Sequence, residues 1–387
     1  MSDDLVVKGK RPLFDALTGV RALGAWWVVL FHIRGELARF VPNESFMMRF
    51  ADAGHVGITL FFVLSGFVIA YNYAPRFQSL RTGSYLKFLW QRLARIYPVH
   101  VATLLALACI LIAASFTGIH FGESERYTLD SFVQHLFLIS AWSVPLQVTW
   151  NGVAWTLSLE WLCYIMFPIL AVVTFRIRNP IILICTTVAL VVVTSILRLA
   201  IGMPELIGKP IDFFQYLLAN IGTLSRHPSL FMLGFLMYRL YDIKFGSGFN
   251  WRFINLIVFP GFILTAIVQP FLGGNNLLVI PFVALLIYGL AWDKGEIVQF
   301  FKSKSMMYWG YTSYALFMTH PICLLILRKV FPLKDSDSSN IILLFFILII
   351  YLFLISLIAR ITYIWLEEPA RDWMRGKKKI FGSSGHA

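Results

Sequence analysis

Residues 17–32 read LTGVRALGAWWVVLFH, an apolar run interrupted by Arg21 and His32. A bilayer core about 30 Å thick is crossed by roughly 20 such residues, and ionisable groups at that depth are costly unless they serve a function. Arg21 and His32 are 11 positions apart, which is about 16 Å along a helix and within about 20° of the same face. The stretch predicts a transmembrane helix with one polar face. The alternative is that Arg21 extends to the inner headgroups and His32 marks the outer interface.

Similar apolar runs recur along the whole chain. Of its 387 residues, 58% are hydrophobic and 14% are charged, with a mean hydropathy of +0.74, whereas a soluble domain has roughly a quarter charged residues. The composition therefore predicts an all-α polytopic membrane protein with about ten transmembrane helices. The candidate spans lie near 17–34, 56–74, 96–116, 154–175, 179–200, 224–242, 253–272, 276–292, 306–330 and 341–364.

The distribution of basic residues predicts the orientation. The net charge of +13 does not indicate nucleic acid, because basic residues collect in the cytoplasmic loops of membrane proteins. If the N-terminus is inside and 130–146 does not cross, 21 of the 33 Lys and Arg residues lie on the inner side and 10 on the outer side. We therefore expect both termini in the cytoplasm and 130–146, which holds Asp130 and Pro145, to be re-entrant or interfacial.

This orientation predicts three parts and a location. They are a cytoplasmic N-terminal segment at 1–16, a transmembrane domain at 17–366, and a basic cytoplasmic tail at 367–387. We expect no cleaved signal peptide and no soluble domain after the last span. The expected location is the bacterial cytoplasmic (inner) membrane, where lipids are the immediate partners. The oligomeric state is left open.

The cysteines indicate neither a disulfide framework nor a zinc site. All four lie inside apolar segments and none forms a CxxC pair; they are Cys109, Cys163, Cys185 and Cys323. We expect no metal.

Three ionisable residues from three predicted spans reach a similar depth. In the predicted orientation Glu160 and His320 both lie in the outer half, as His32 does. Buried polar groups need partners, and a carboxylate near two imidazoles supplies one. The cluster predicts a structural polar network, a proton relay or an acid/base site. A proton-coupled small-molecule transporter that uses Glu160, His32 and His320 is therefore one alternative, and a structural subunit is another.

Two further features have simpler interpretations. Arg92 and Arg95 share a helix face at i and i+3 and suit a phosphate ligand, although basic residues are expected at this position anyway. Ser65-Gly66 indicates close helix packing, and the absence of a G-x-S-x-G elbow disfavours a serine nucleophile.

Five motifs in order give the chain a specific resemblance. The sequence resembles acyltransferase family 3 over essentially its whole length, in the stand-alone form without a hydrolase-like C-terminal domain. Thr18 and Thr59 stand where many members have aspartate. The matching segments are Arg21-x10-His32, FFVLSGF at 61–67, Arg92 to Arg95, NGVAWTLSLE at 151–160 and YTSYALFMTHP at 311–321.

The resemblance implies an activity and roles for the residues. The implied reaction transfers an acyl group, usually acetyl, from cytoplasmic acetyl-CoA or another acyl-CoA to a hydroxyl of a polysaccharide, lipopolysaccharide or lipid-linked glycan. His32 would act as general base, oriented by a carboxylate such as Glu160, and His320 would either assist it or line the acceptor groove. A second group, Arg21, Arg92 and Arg95, would hold the CoA phosphates.

Overall fold

The computed structural model describes residues 14–77, 81–119, 124–142, 148–177, 213–269, 278–331 and 341–376, together with Ser79 and parts of 179–196. All regular secondary structure in these ranges is helical. The nine long helices are α1 (Asp15–His32), α2 (Val56–Tyr73), α3 (Thr82–Thr117), α4 (Trp155–Arg176), α5 (Phe213–Asp242), α6 (Trp251–Val268), α7 (Val279–Ala291), α8 (Lys304–Val330) and α9 (Ile341–Thr362). Short helices cover Arg34–Leu37, Phe46–Asp52, Leu129–Leu136, Glu296–Phe301 and Glu368–Met374.

Six helical stretches in the described part of the chain are long and apolar enough to cross a membrane. They are Phe46–Arg76, Thr82–Thr117, Trp155–Arg176, Trp251–Val268, Lys304–Val330 and Phe345–Met374. The predicted class, a multi-pass all-α membrane protein, is therefore supported. The count of ten crossings and the cytoplasmic position of both ends stay predictions.

Helices occupy nine of the ten predicted spans, and two begin well before them. α3 starts at Thr82, 14 residues before the predicted span, so Arg92 and Arg95 lie on this helix and not in a loop. It ends where Gly118 adopts φ +69°, a conformation that glycine tolerates. α5 also starts before its predicted span of 224–242, at Phe213. The remaining span, 179–200, is described only in part, and its described residues between Pro180 and Val193 are helical as well.

Glycines let the central helices pack with their backbones close together. A Cβ on Gly66 of α2 would lie 1.9 Å from the Phe231 carbonyl oxygen, and one on Gly234 of α5 would lie 1.8 Å from that of Val63. α1 meets α8 in the same way, because a Cβ on Gly310 would lie 2.2 Å from the Thr18 carbonyl oxygen. Small residues favour such contacts in membranes, which confirms the packing predicted at Ser65-Gly66.

The segment predicted not to cross contains one short helix. Leu129–Leu136 has 8 residues and is about 12 Å long, well short of a bilayer core. His100 of α3 fixes it, because its Nε2 lies 2.8 Å from the His135 carbonyl oxygen. Burial, and then the nearby His100, lower the pKa of His135 to about 4. A re-entrant or interfacial position for 130–146 stays a prediction, and residues 143–147 lie outside the described ranges.

The last helix continues into the predicted tail. A π-helical turn at Tyr363–Glu367 leads from α9 to Glu368–Met374, which packs against α3. Glu367 is 1% exposed. The first residue of the predicted tail therefore lies in the core, with consequences for the site described below.

Gly66→Ala is expected to destabilise the α2–α5 contact by about 2 kcal/mol, because the new Cβ would overlap backbone atoms. The measurement is thermal unfolding of the detergent-solubilised protein. Gly83→Ala, in open space on α3, is the matched control and should unfold like the wild type. Equal stability of all three proteins would contradict the close packing.

Candidate active site

A pair of histidines joins α1 to α8. His32 Nδ1 lies 3.3 Å from His320 Nε2, and the two ring centroids are 4.9 Å apart. His320 is fully buried, whereas His32 is partly exposed. The two helices run parallel, because Arg21 of α1 likewise bonds to Ser313 of α8, Nε to Oγ, at 3.2 Å.

Hydrogen bonds to carbonyls assign the proton positions in this pair. Nδ1 of His32 lies 2.8 Å from the Val28 carbonyl oxygen, and Nδ1 of His320 lies 3.0 Å from that of Leu316. A carbonyl oxygen only accepts, so each Nδ1 carries the proton of a neutral ring. The one Nδ1 proton of His32 is then shared between the Val28 carbonyl oxygen and, at the longer distance of 3.3 Å, Nε2 of His320. This leaves Nε2 of His32 unprotonated and able to act as a base.

A salt bridge fixes the end of α1 next to His32. Arg328 of α8 bonds to Glu36, Nε to Oε1 at 2.6 Å, and its Nη2 donates to the His32 carbonyl oxygen at 2.7 Å. Glu36 is 7% exposed. The bridge holds the backbone of the histidine against α8 and thereby maintains the imidazole contact.

A cavity of about 130 Å³ lies among α1, α2, α3, α4 and α8. Its walls are largely apolar. Its polar lining consists of Arg21, Ser65, Arg92, Arg95, Thr156, Glu160, Tyr164, Ser313 and Tyr314. The structure thus brings together the three arginines and the glutamate that the sequence predicted as site residues.

Glu160 belongs to this cavity and not to the histidine pair. Its Oε1 accepts from Ser65 Oγ at 3.1 Å and, in a short hydrogen bond, from Tyr164. Among the described residues it bonds to neither histidine, so the expectation that Glu160 orients His32 is wrong. The reason is that Glu160 faces Ser65 across the α2–α4 contact, whereas His32 and His320 complete each other's hydrogen bonds.

Arg95 and Arg92 differ in their partners. Arg95 forms a salt bridge with the buried Glu367, while Arg92 donates from Nη2 to the Tyr73 hydroxyl at 2.6 Å. Nε of Arg92 is buried without a hydrogen-bond partner in the described structure. An unused, buried guanidinium donor indicates a place for an anionic ligand.

A pair of phenylalanine rings connects the cavity with the histidines. Phe61 and Phe317 both line the cavity, with ring centroids 5.9 Å apart, and the Phe317 ring is 6.1 Å from that of His320. The described lining of the cavity includes neither histidine. The predicted site residues therefore fall into two adjacent parts, the cavity and the histidine pair, which meet at the Phe317 ring and are called the two compartments below.

The NGVAWTLSLE segment supports both compartments. Asn151 Nδ2 donates to the Met318 carbonyl oxygen at 2.8 Å, two residues before His320. Ser158 Oγ accepts from the Ala141 N–H at 3.1 Å, which ties the turn after Leu129–Leu136 to α4. The segment thus fixes α8 near the histidines and places Glu160 in the cavity.

Several site residues were not predicted. Ser313 and Tyr314 lie within a motif already quoted, and Tyr164 is one turn after Glu160. Glu367 gave no local signal, because its partner Arg95 is 272 residues away. Over the ranges described, no group of three His, Cys, Asp or Glu residues suits a metal ion.

Comparison with known proteins assigns the chain to a family. The model described as Acyltransferase domain matches residues 14–361. The chain belongs to acyltransferase family 3. The family match covers every site residue named so far except Glu367.

Individual relatives of this family 3 member align over part of its length. It is 27% identical to the acyltransferase MdmB of Streptomyces mycarofaciens over 40% of this chain and 38% of that protein. It is also 27% identical to the O-acetyl transferase of Shigella phage Sf6, over 41% and 45% of the two chains. Protein 2 in the picA locus of Rhizobium radiobacter is 29% identical over 35% of this chain and 74% of that protein. No solved structure matches.

The Arg95–Glu367 bridge is expected to contribute to stability as a unit. Arg95→Gln leaves the buried carboxylate without its cation, which typically costs about 3–5 kcal/mol. Adding Glu367→Gln removes that charge, so the double variant should unfold at a higher temperature than Arg95→Gln alone. Thermal unfolding in detergent measures this, and additive losses would contradict the coupling.

Proposed function

We propose that this family 3 protein transfers an acyl group, preferably acetyl, from acyl-CoA to a hydroxyl of a glycan or lipid-linked saccharide. The arginine-lined cavity would hold the donor, with its apolar walls along the pantetheine arm. The observation that carries the proposal is the histidine pair, whose hydrogen bonds leave Nε2 of His32 as a base beside that cavity.

The reaction follows from this arrangement. The acceptor oxygen attacks the thioester carbonyl carbon as Nε2 of His32 takes the hydroxyl proton. A C–O bond forms, the C–S bond breaks, and the imidazolium returns its proton to the departing thiolate, which leaves as the CoA thiol. His320 is a positioning residue that holds the His32 ring. General-base assistance of this kind is typically worth about 10²–10⁴-fold in rate.

The proposal uses the orientation predicted from the charge distribution. With both termini in the cytoplasm of a bacterial inner membrane, Arg92 and Arg95 would face the cytoplasmic donor. His32 would then lie nearer the outer face, where an envelope glycan is available. The chain would act between a donor on one side and an acceptor on the other.

The transporter alternative requires a continuous relay through Glu160, His32 and His320. Glu160 instead bonds to Ser65 and Tyr164, which favours the acyltransferase. Substrate flux across proteoliposomes without release of free CoA would support the transporter.

His32→Ala is expected to insert normally and to lower transfer by at least about 10²-fold, because the base is lost. The assay follows label from acetyl-CoA into envelope glycan in isolated membranes. His55→Ala is the control, since His55 bonds to the Asp52 carbonyl oxygen and, in the described structure, approaches His32 only through the Phe31 ring. Full activity of His32→Ala would exclude it as the base.

Phe317→Leu is expected to lower the preference for acetyl-CoA over butyryl-CoA by about tenfold, because pocket contacts discriminate single methylenes at that level. Competition between the two donors measures this ratio. Phe67→Leu is the matched control, since Phe67 is buried on α2 but does not line the cavity. An unchanged ratio in Phe317→Leu would show that the rings do not limit acyl length.

A further inference from the structure

A group of four arginines forms where the N-terminal part of α3 meets the final helix. They are Arg92, Arg95, Arg371 and Arg375. Two hydrogen bonds fix the contact: Trp90 Nε1 donates to the Met374 carbonyl oxygen at 2.7 Å, and Arg375 Nη2 donates to that of Gln91 at 3.1 Å. Arg375 is therefore held against the residue that precedes Arg92.

Two of these arginines have no carboxylate partner in the described structure. Arg95 is paired with Glu367, and Arg371 lies 3.6 Å from Glu368 and 3.5 Å from Asp372. Arg92 and Arg375, in contrast, donate only to neutral oxygens, the Tyr73 hydroxyl and the Gln91 carbonyl. Placing like charges together without a counter-ion costs free energy, so the group is suited to an anion.

The unused donors belong to the same two arginines. Nε of Arg92 and Nε of Arg375 are both buried without a hydrogen-bond partner in the described ranges. Burial lowers the pKa of Arg375, and the positive charges of Arg92, Arg371 and Arg95 contribute to the shift. A bound anion would neutralise this charge and accept the free hydrogen bonds.

We propose that Arg375, on the final helix, joins Arg92 in binding the phosphates at the nucleotide end of acyl-CoA. The assignment rests on the proposed function and adds a second element, the final helix, to the donor site. Arg92 also lines the cavity, so a donor bound through its phosphates here has its thioester arm directed toward Glu160 and the aromatic rings. Arg371 adds positive charge without a direct contact.

The test compares two donors that differ in phosphate content. Full-length Arg375→Gln in liposomes is assayed with acetyl-CoA and with acetyl-pantetheine, which lacks the nucleotide and all phosphates. We expect KM for acetyl-CoA to rise about tenfold, the equivalent of one lost charge-assisted hydrogen bond, and KM for acetyl-pantetheine to stay constant. Arg252→Gln is the matched control, because Arg252 is exposed and paired with Glu296.

A second measurement covers the case in which Arg375→Gln fails to fold. Adenosine 3′,5′-bisphosphate should compete with acetyl-CoA on the wild type, and on Arg375→Lys, which keeps the charge, it should compete more weakly. Equal KM changes for both donors, or no competition, would overturn the assignment.

The remaining outcomes separate the two proposals. The effect of Arg375→Gln on activity could instead change with the anionic lipid content of the liposomes and be the same for both donors. That result would identify a lipid headgroup as the ligand and overturn the assignment. Wild-type protein that transfers acetyl from neither donor would overturn the proposed function itself.

Discussion

The parallel packing of α1 on α8 is the contact on which the site depends. Thr18 and Gly310 bring the two backbones together, since a Cβ on Gly310 would lie 2.2 Å from the Thr18 carbonyl oxygen. Further along the two parallel helices, Arg21 bonds to Ser313, and closer to the end of α1 His32 contacts His320. Because both helices are long and rigid, a shift at one end would displace the other. One interface therefore sets the geometry of both compartments.

The apolar surroundings of the cavity have a chemical rationale. A thioester held in the cavity, as proposed above, would face largely apolar walls, and the Phe317 ring would lie beside it and against His320. Excluding water from a reactive donor limits hydrolysis, and low polarity strengthens the interactions of the arginines. The apolar walls would thus protect the donor from hydrolysis while leaving it next to the histidine pair.

Buried carboxylates neutralise arginine side chains both beside the histidine pair and beside the cavity. Glu36 binds Arg328 beside His32, and Glu367 binds Arg95 beside the cavity. Each pair joins helices that are far apart in the sequence, so each holds the helices together as well as neutralising charge. A buried charge without its partner is much more costly than the pair, which makes both contacts conditions for a correctly assembled site.

The sequence by itself determined the all-helical membrane class, the position of nine long helices and the family, and it predicted a set of site residues headed by Arg21, His32 and His320. Those properties depend on local hydrophobicity and on the spacing of ionisable residues along single helices. Only the tertiary structure decided how the residues are paired. It placed Glu160 with Tyr164 instead of His32, and brought Glu367 to Arg95 across 272 residues of sequence. Spacing along one helix determines which face a side chain lies on, but its partner depends on how separate helices pack, and that is set by backbone contacts distributed over the whole bundle.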